Sequence, residues 1–228
     1  MKTSLVRNML ISAILLAVFA GVGTALVMTT FELTKDKIEA SEKANLLRNL
    51  NNIIPPKSYT NNLLESQLQV AESSQLGNKG STTIYQAWQD KTPVAVAFSI
   101  TTNEGYSGDI KLLIAIKKNG HVLGVRVISH KETPGLGDKI ELAKNDWILS
   151  FNNKYLIASI STPWKVKKDG GEFEQFTGAT ITPRAVVNAV YKALDYFNHN
   201  QNKLFLTQEQ YNKLHNTSPQ QRKNYGQY

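Results

Sequence analysis

The chain of 228 residues contains no cysteine, which excludes disulfides, thiolate-ligated zinc and iron–sulfur clusters of the usual kind. That absence leaves the redox compartment open, while permitting an oxidising one without mispairing. Histidine is scarce: His121, His130, His199 and His215 show no metal-pair spacing, so no transition-metal site is expected. There is no G-x-S-x-G elbow, no P-loop and no Ser/His/Asp arrangement that spacing would recommend. No catalytic side chain is therefore assigned. The net charge of +8 would suit nucleic acid, but the basic residues are scattered as Lys35, Lys37, Lys43, Lys117, Lys118, Lys165, Lys167 and Lys168. With no compact basic helix and no aromatic-studded RNA motif, nucleic-acid binding is not expected.

What is present begins with one long apolar run. Residues 9–28, MLISAILLAVFAGVGTALVM, carry no charge over about twenty positions, the length a helix needs to cross a bilayer. A secretory signal is the rival, given Lys2 and Arg7. Its apolar core would be shorter, about 7–15 residues, and Ala25-Leu26-Val27 is a poor cleavage site; a retained anchor is the expectation. Lys2 and Arg7 pull the N-terminus (1–8) to the cytoplasm, against Lys35, Lys37, Lys43 and Arg48 beyond the other end. Long C-terminal domains translocate largely regardless of such charges, so the C-terminal domain is expected outside.

Residues 29–56 read as a juxtamembrane helix ended by Pro55-Pro56. The stretch 57–80 is polar, and its few leucines suggest short helical turns. From 82 the period changes to β-branched runs, TIYQAWQ, PVAVAFSITT, DIKLLIAIKK and HVLGVRVISH, which predict antiparallel strands. Asn119-Gly120 is the hairpin turn between the last two. Asp138 to Phe151 reads as helical with Trp147, Ile148 and Phe151 buried, and 152–171 as a short strand or two. The segment 182–198 predicts a long amphipathic helix, 207–215 a short one, and the tail from Ser218 to Tyr228 disorder. The fold class is thus α+β: a transmembrane helix, then an external domain (57–205) of antiparallel sheet with packed helices, then a terminal helix and tail (206–228).

Two turns stand out. His130-Lys131-Glu132-Thr133-Pro134-Gly135-Leu136-Gly137-Asp138 is a tight exposed turn whose N–H groups are free to meet a ligand, and with no βαβ unit around it a Rossmann site is unsupported. Glu174-Gln175-Phe176-Thr177-Gly178-Ala179-Thr180-Ile181-Thr182-Pro183 runs into the long helix. Thr182 reads as its N-cap and Pro183 as its first residue. Thr-Gly-Ala-Thr then lies at a helix N-terminus, which is either an ordinary cap or an anion site suited to phosphate.

With GYSGDI at 105–110, HKETPGLGDKIE at 130–141 and FTGATITPRAVVNAV at 176–190, the chain resembles the G subunit of the Rnf ion-translocating electron transport complex. The C subunit of the sodium-pumping NADH:quinone reductase shares that flavin domain. The resemblance runs from the anchor to about residue 198. It implies FMN joined by a phosphoester to Thr180, within Thr177, Gly178, Ala179 and Thr180. Family motifs place Asp six residues before the threonine, where a flavin transferase recognises the segment; here Glu174 keeps the carboxylate and lengthens it. The resemblance further implies that Glu132, Thr133, Gly135, Leu136 and Gly137 lie along the isoalloxazine. Tyr106 and Gly108 would line the other side, and Lys165 or Lys167 would place positive charge near the ring. The implied partners are other membrane and iron–sulfur or flavin subunits of a complex coupling ferredoxin and NAD to ion movement, in the inner membrane with the domain periplasmic. A flavin-free, membrane-anchored assembly or sensory module of the same fold is the alternative.

Overall fold

The computed structural model describes residues 2–156 and 164–216. Of the stretch 152–171, expected to hold a short strand or two, residues 157–163 lie outside the described residues, and the described remainder forms no strand beyond the bridge from Val166 to Phe173; the tail 218–228 also lies outside them. The chain divides into two compact units, Met1–Leu46 and Leu47–Tyr228.

The first unit is helical. Helix α1 spans Lys2–Asn51, and it contains the one described helix long and apolar enough to cross a membrane. Its apolar side chains, from Val6 through Ile14, Phe19 and Leu26 to Phe31, are exposed. A helix that is apolar all round and exposed along that length is suited to a lipid environment. This is the pattern of a single-pass membrane protein.

The second unit starts within the last turn of α1, at Leu47. The helix stops at Asn51, four residues before Pro55, and Leu50, Ile53 and Ile54 are buried. Five antiparallel strands follow in sequential order: β1 (Gln67–Val70), β2 (Thr82–Gln89), β3 (Thr92–Thr102), β4 (Ile110–Lys117) and β5 (Val122–Ser129). The last four match the predicted runs to within a residue or two. Strand β1 is a correction, because the composition of 57–80 suggests helical turns there. It pairs Gln67 to Tyr85 and Val70 to Thr82, and only Leu68 and Val70 are buried apolar positions.

The sheet has two unlike faces. Ile110, Leu112, Ile114 and Ile116 of β4 stand opposite Thr102, Ile100, Phe98 and Val96 of β3, and most of these large side chains join one continuous core. Helix α2 (Ile181–Leu204) lies on that face and contributes Val186, Val190, Leu194 and Phe197. By the two-residue alternation of strands, Ala97 and Ala115 occupy the other face, paired with each other in register. These small residues let the segment after α1 come close. At Gly124, which pairs with Ala115, an added Cβ would lie 2.9 Å from Ile53.

Helix α2 is longer than predicted and ends against Gln86, a buried side chain whose amide donates to the carbonyls of Leu204 and Leu206 at 2.8 Å each. The carbonyls freed at a helix end are satisfied there by a strand side chain. Helix α3 (Gln208–Asn216) falls where the sequence places a short helix, and the Gln208 side chain accepts from the Gln69 N–H of β1. The single helix expected over Asp138–Phe151 is instead two 3₁₀ turns, Gly137–Ile140 and Asp146–Phe151. Asn145 breaks the run by accepting the Trp147 N–H with its side chain, the local competition that makes Asn a poor helix interior. Trp147, Ile148 and Phe151 are buried as expected.

Candidate functional site

Three segments meet beyond the ends of β3, β4 and β5: the loop 103–109, the turn 130–137 and the turn 176–180 that opens α2. Glu132, in the second, bonds to the first and to Thr182, two residues beyond the third. It is only 4% exposed. Its carboxylate accepts the N–H of Ser107 at 2.9 Å and that of Tyr106 at 3.3 Å. It also accepts the Thr182 hydroxyl, in a buried contact between residues fifty apart in the chain. Its own N–H donates to His130 Nδ1 at 3.0 Å. That bond makes Nδ1 the acceptor, so Nε2 carries the hydrogen that meets Glu141 Oε1 at 2.5 Å.

Two glycines leave this region its space. A Cβ on Gly137 would lie 2.9 Å from both Glu132 Cβ and Thr182 Oγ1, and a Cβ on Gly105 would lie 2.3 Å from the Gly108 carbonyl oxygen and 2.9 Å from Glu132 Oε1. The turn itself closes through Thr133, whose carbonyl accepts the N–H groups of Leu136 at 3.1 Å and Gly137 at 3.0 Å. Those two donors, expected to be free for a ligand, are therefore engaged. Leu136 is left 42% exposed at the tip.

The second turn is built by aromatics that sequence reading did not single out as a scaffold. Trp147 meets Phe176 at 5.1 Å between ring centroids and Phe151 at 5.3 Å. Phe151 in turn stacks on Phe173 at 4.7 Å. The Trp147 indole N–H donates to the Glu174 carbonyl at 2.8 Å. Held there, the chain reverses at 176–179, with the Ala179 N–H bonded to the Phe176 carbonyl at 3.1 Å and Gly178 at φ +82°. A positive φ at the third position of such a turn is what glycine supplies.

Helix α2 then begins at Ile181, with Thr180 as the flanking residue and no side chain capping it. Two expectations change here. Thr182 is not the N-cap, because its hydroxyl is committed to Glu132. Pro183 is not the first helical residue but lies later in the first turn, where its missing N–H is still harmless. The first N–H groups of a helix have no intrahelical acceptor, and here no cap side chain replaces one among the described residues.

Between these turns lies a cleft of about 320 Å³, lined by Tyr106, Glu132, Thr133, Leu136, Gly137, Gly178, Ala179, Thr180, Ile181 and Thr182. The first eight are site residues named from the sequence, and Ile181 and Thr182 are additions. Thr177, Gly108 and Gly135 do not line it, and neither do Lys165 and Lys167. Lys167 is bonded instead to the Glu174 carboxylate. In the same stretch Arg184 grips Asp169 through two bonds, at 2.6 and 2.9 Å. The Arg184 hydrogen bonds, with help from Lys165 and Lys168, hold the Asp169 carboxyl below its usual range. Among the described residues the cleft thus has one acidic side chain, no basic one, apolar groups at Tyr106, Leu136 and Ile181, and an uncapped helix start. Such a set can hold a phosphate at the helix and a flat apolar ring beside it.

The far end of the 103–109 loop is fastened to α2 as well. Glu104 accepts from Asn188 at 2.7 Å and from Lys192 at 2.8 Å. Those hydrogen bonds, the Lys192 bond foremost, lower its pKa against a smaller opposing effect of burial.

A family model described as an FMN-binding domain matches residues 105–195, a span that includes every residue lining the cleft. A second, described as the RnfG N-terminal region, matches residues 1–53. The chain is 48% identical over 204 residues to a protein of Vibrio cholerae serotype O1 named as the G subunit of the ion-translocating oxidoreductase complex. That alignment covers 90% of this chain and 95% of the relative. Proteins of the same name are 45% identical in Shewanella loihica, over 90% of this chain and 94% of the relative, and 47% identical in Vibrio atlanticus, over 83% and 90%.

Replacing Gly137 by alanine drives a methyl into Glu132 and Thr182, and a destabilisation of about 1–3 kcal/mol is expected from overpacking, read by urea denaturation of the detergent-solubilised chain. The Glu104 contacts carry a pH signature. A carboxyl whose folded pKa is depressed contributes stability that is present above its ordinary value of 4.5 and is lost as pH falls through the folded value. Stability measured from pH 6 downward should therefore fall less steeply in Glu104→Gln than in the parent; equal slopes would remove the contribution.

Proposed function

Because the chain belongs to the family of G subunits of ion-translocating oxidoreductase complexes, we propose that its FMN is esterified to Thr180. It is an electron-transport subunit with an FMN-binding domain; the covalent bond and its setting are our reading. One observation carries it: Thr180 stands at the uncapped start of α2, inside the cleft. A phosphodiester formed there keeps a negative charge beside the helix N–H groups and the positive end of the dipole. Gly178 carries no side chain to obstruct the ester, and a Cβ there would meet only Leu136, at 3.6 Å.

Bound FMN supplies the capacity to accept and release electrons, and the protein supplies its place and surroundings. Leu136 and Tyr106, 42% and 70% exposed, offer apolar surface on which the ring packs. Glu174 is the residue a flavin transferase reads. Lys167 holds its carboxylate, while Trp147 and Phe176 fix the backbone on either side. Lys165 and Lys167 stand outside the cleft lining, so the electrostatic role toward the ring passes to the groups that do line it. No side chain is needed as a general acid or base.

In this reading α1 anchors the subunit in the inner membrane with the domain on the periplasmic side. The flavin exchanges electrons with iron–sulfur and flavin subunits of a complex that couples ferredoxin and NAD to ion movement. Covalent attachment suits that location, since a cofactor lost there could not be readily replaced.

Mass spectrometry of the chain produced together with a flavin transferase should show a gain of one FMN less one water, abolished in Thr180→Ala. An unmodified 174–184 peptide in the parent would instead favour a flavin-free tethered module. Orientation is read with reporters fused after residue 200: a reporter active only outside the cytoplasm should work, and activity from a cytoplasmic reporter alone would reverse the assignment.

A further inference from the structure

One wall of the cleft is a buried acid to which the proposed function gives no chemical role. Every partner of the Glu132 side chain is a donor: the Tyr106 N–H, the Ser107 N–H and the Thr182 hydroxyl. Two backbone N–H groups, which can only donate, and a hydroxyl supply hydrogen bonds to both oxygens, the set that an acceptor-only carboxylate requires. Among the described residues, no lysine, arginine or histidine lines the cleft to neutralise it. Burying a charge without a counter-ion is costly, and donors offset that cost only in part. An apolar side chain of similar volume could fill the same space. The site nevertheless keeps an acid, and two glycines leave it room.

We propose that Glu132 is a positioning residue that also acts through its charge. It latches the Tyr106 loop to the first turn of α2, and its buried negative charge lowers the reduction potential of the flavin. The proposal rests on the reading that the cleft holds FMN on Thr180. Two electrons and one proton added to an isoalloxazine leave it one negative charge richer. The electrons come from partner subunits in the complex, or from dithionite in a titration, and the proton from solvent. A fixed negative charge in the wall opposes that change, and at the low effective dielectric of a protein the opposition is far stronger than in water. The phosphate lies under a different influence, the dipole of α2, so one end of the cofactor is held by positive potential while the ring faces a negative one.

Glu132→Gln separates the two roles. Its amide oxygen, in the place of Oε1, can still accept the Ser107 N–H, and its NH₂, in the place of Oε2, can donate to the Thr182 oxygen, so the loop stays tied to α2 without the charge, at the cost of the longer Tyr106 bond. The full chain, flavinylated and in detergent, is titrated with dithionite against a reference dye, and its visible circular dichroism is recorded. The expected result is an unchanged flavin content and dichroism with a potential shifted to more positive values. An unshifted potential with intact dichroism overturns the electrostatic role. Lost dichroism with no shift leaves only a structural residue and overturns it equally.

Should the glutamine variant fail to accumulate, Thr182→Val keeps the carboxylate and strips one donor that screens it. Its potential is then expected to move the opposite way, and a positive or null shift refutes the proposal. Parent protein without FMN overturns the underlying reading and this proposal with it, whereas flavinylated parent with an indifferent Glu132→Gln overturns this proposal alone.

Discussion

A single carboxylate, that of Glu132, decides how the site is assembled. Its bonds to two backbone N–H groups of the 103–109 loop and to Thr182 at the start of α2 tie together segments that no strand pairing connects. Hydrogen bonds to a charged group are about twice as strong as neutral ones. Removing one partner of a buried charge costs far more than the pair contributes net. The site therefore comes as a unit. The glycine at 137 leaves room for the pair of Glu132 and Thr182, and the glycine at 105 for both the Gly108 carbonyl and the Glu132 carboxylate, since those are the atoms that a Cβ at either position would meet.

Around that latch, charge is arranged by what is withheld. Basic side chains near the turn 176–180 are occupied elsewhere, Lys167 by Glu174 and Arg184 by Asp169. The favourable potential for an anion comes instead from the backbone of α2, whose start has no capping side chain. A dipole end is a positional device: its effect falls off within the first turn, so it selects one spot for the anionic end of a ligand and leaves the rest of the cleft to apolar contact.

Much of this is legible in the sequence, and the exceptions share a cause. Strands β2 to β5 are readable because β-branched residues recur in runs bounded by turn residues, and Gly120 at φ +86° sits in the predicted hairpin turn. Strand β1 is hidden: four residues, two of them glutamine, amid polar chain, become a strand only through pairing with β2. Most residues placed in the cleft by resemblance do converge there. Thr182 misleads because Ser and Thr before a helix usually cap it, and nothing local announces a partner fifty residues away. Lys167 lies outside the cleft lining for a like reason, since charge in sequence does not announce that Glu174 will claim it. The stretch Asp138–Phe151 has the apolar spacing of a helix, and Asn145 overrides it.

The sheet is a plain meander, each strand hydrogen-bonded to its sequence neighbours, and such local pairing favours quick folding. The closure between Glu132 and Thr182 is the opposite: it waits for the chain to fold back across fifty residues and bears the loop entropy of that return. The scaffold can therefore be complete before the pocket exists. Residues 174–180 therefore stay reachable from solvent in that interval, while the start of α2 still belongs to an unfinished edge.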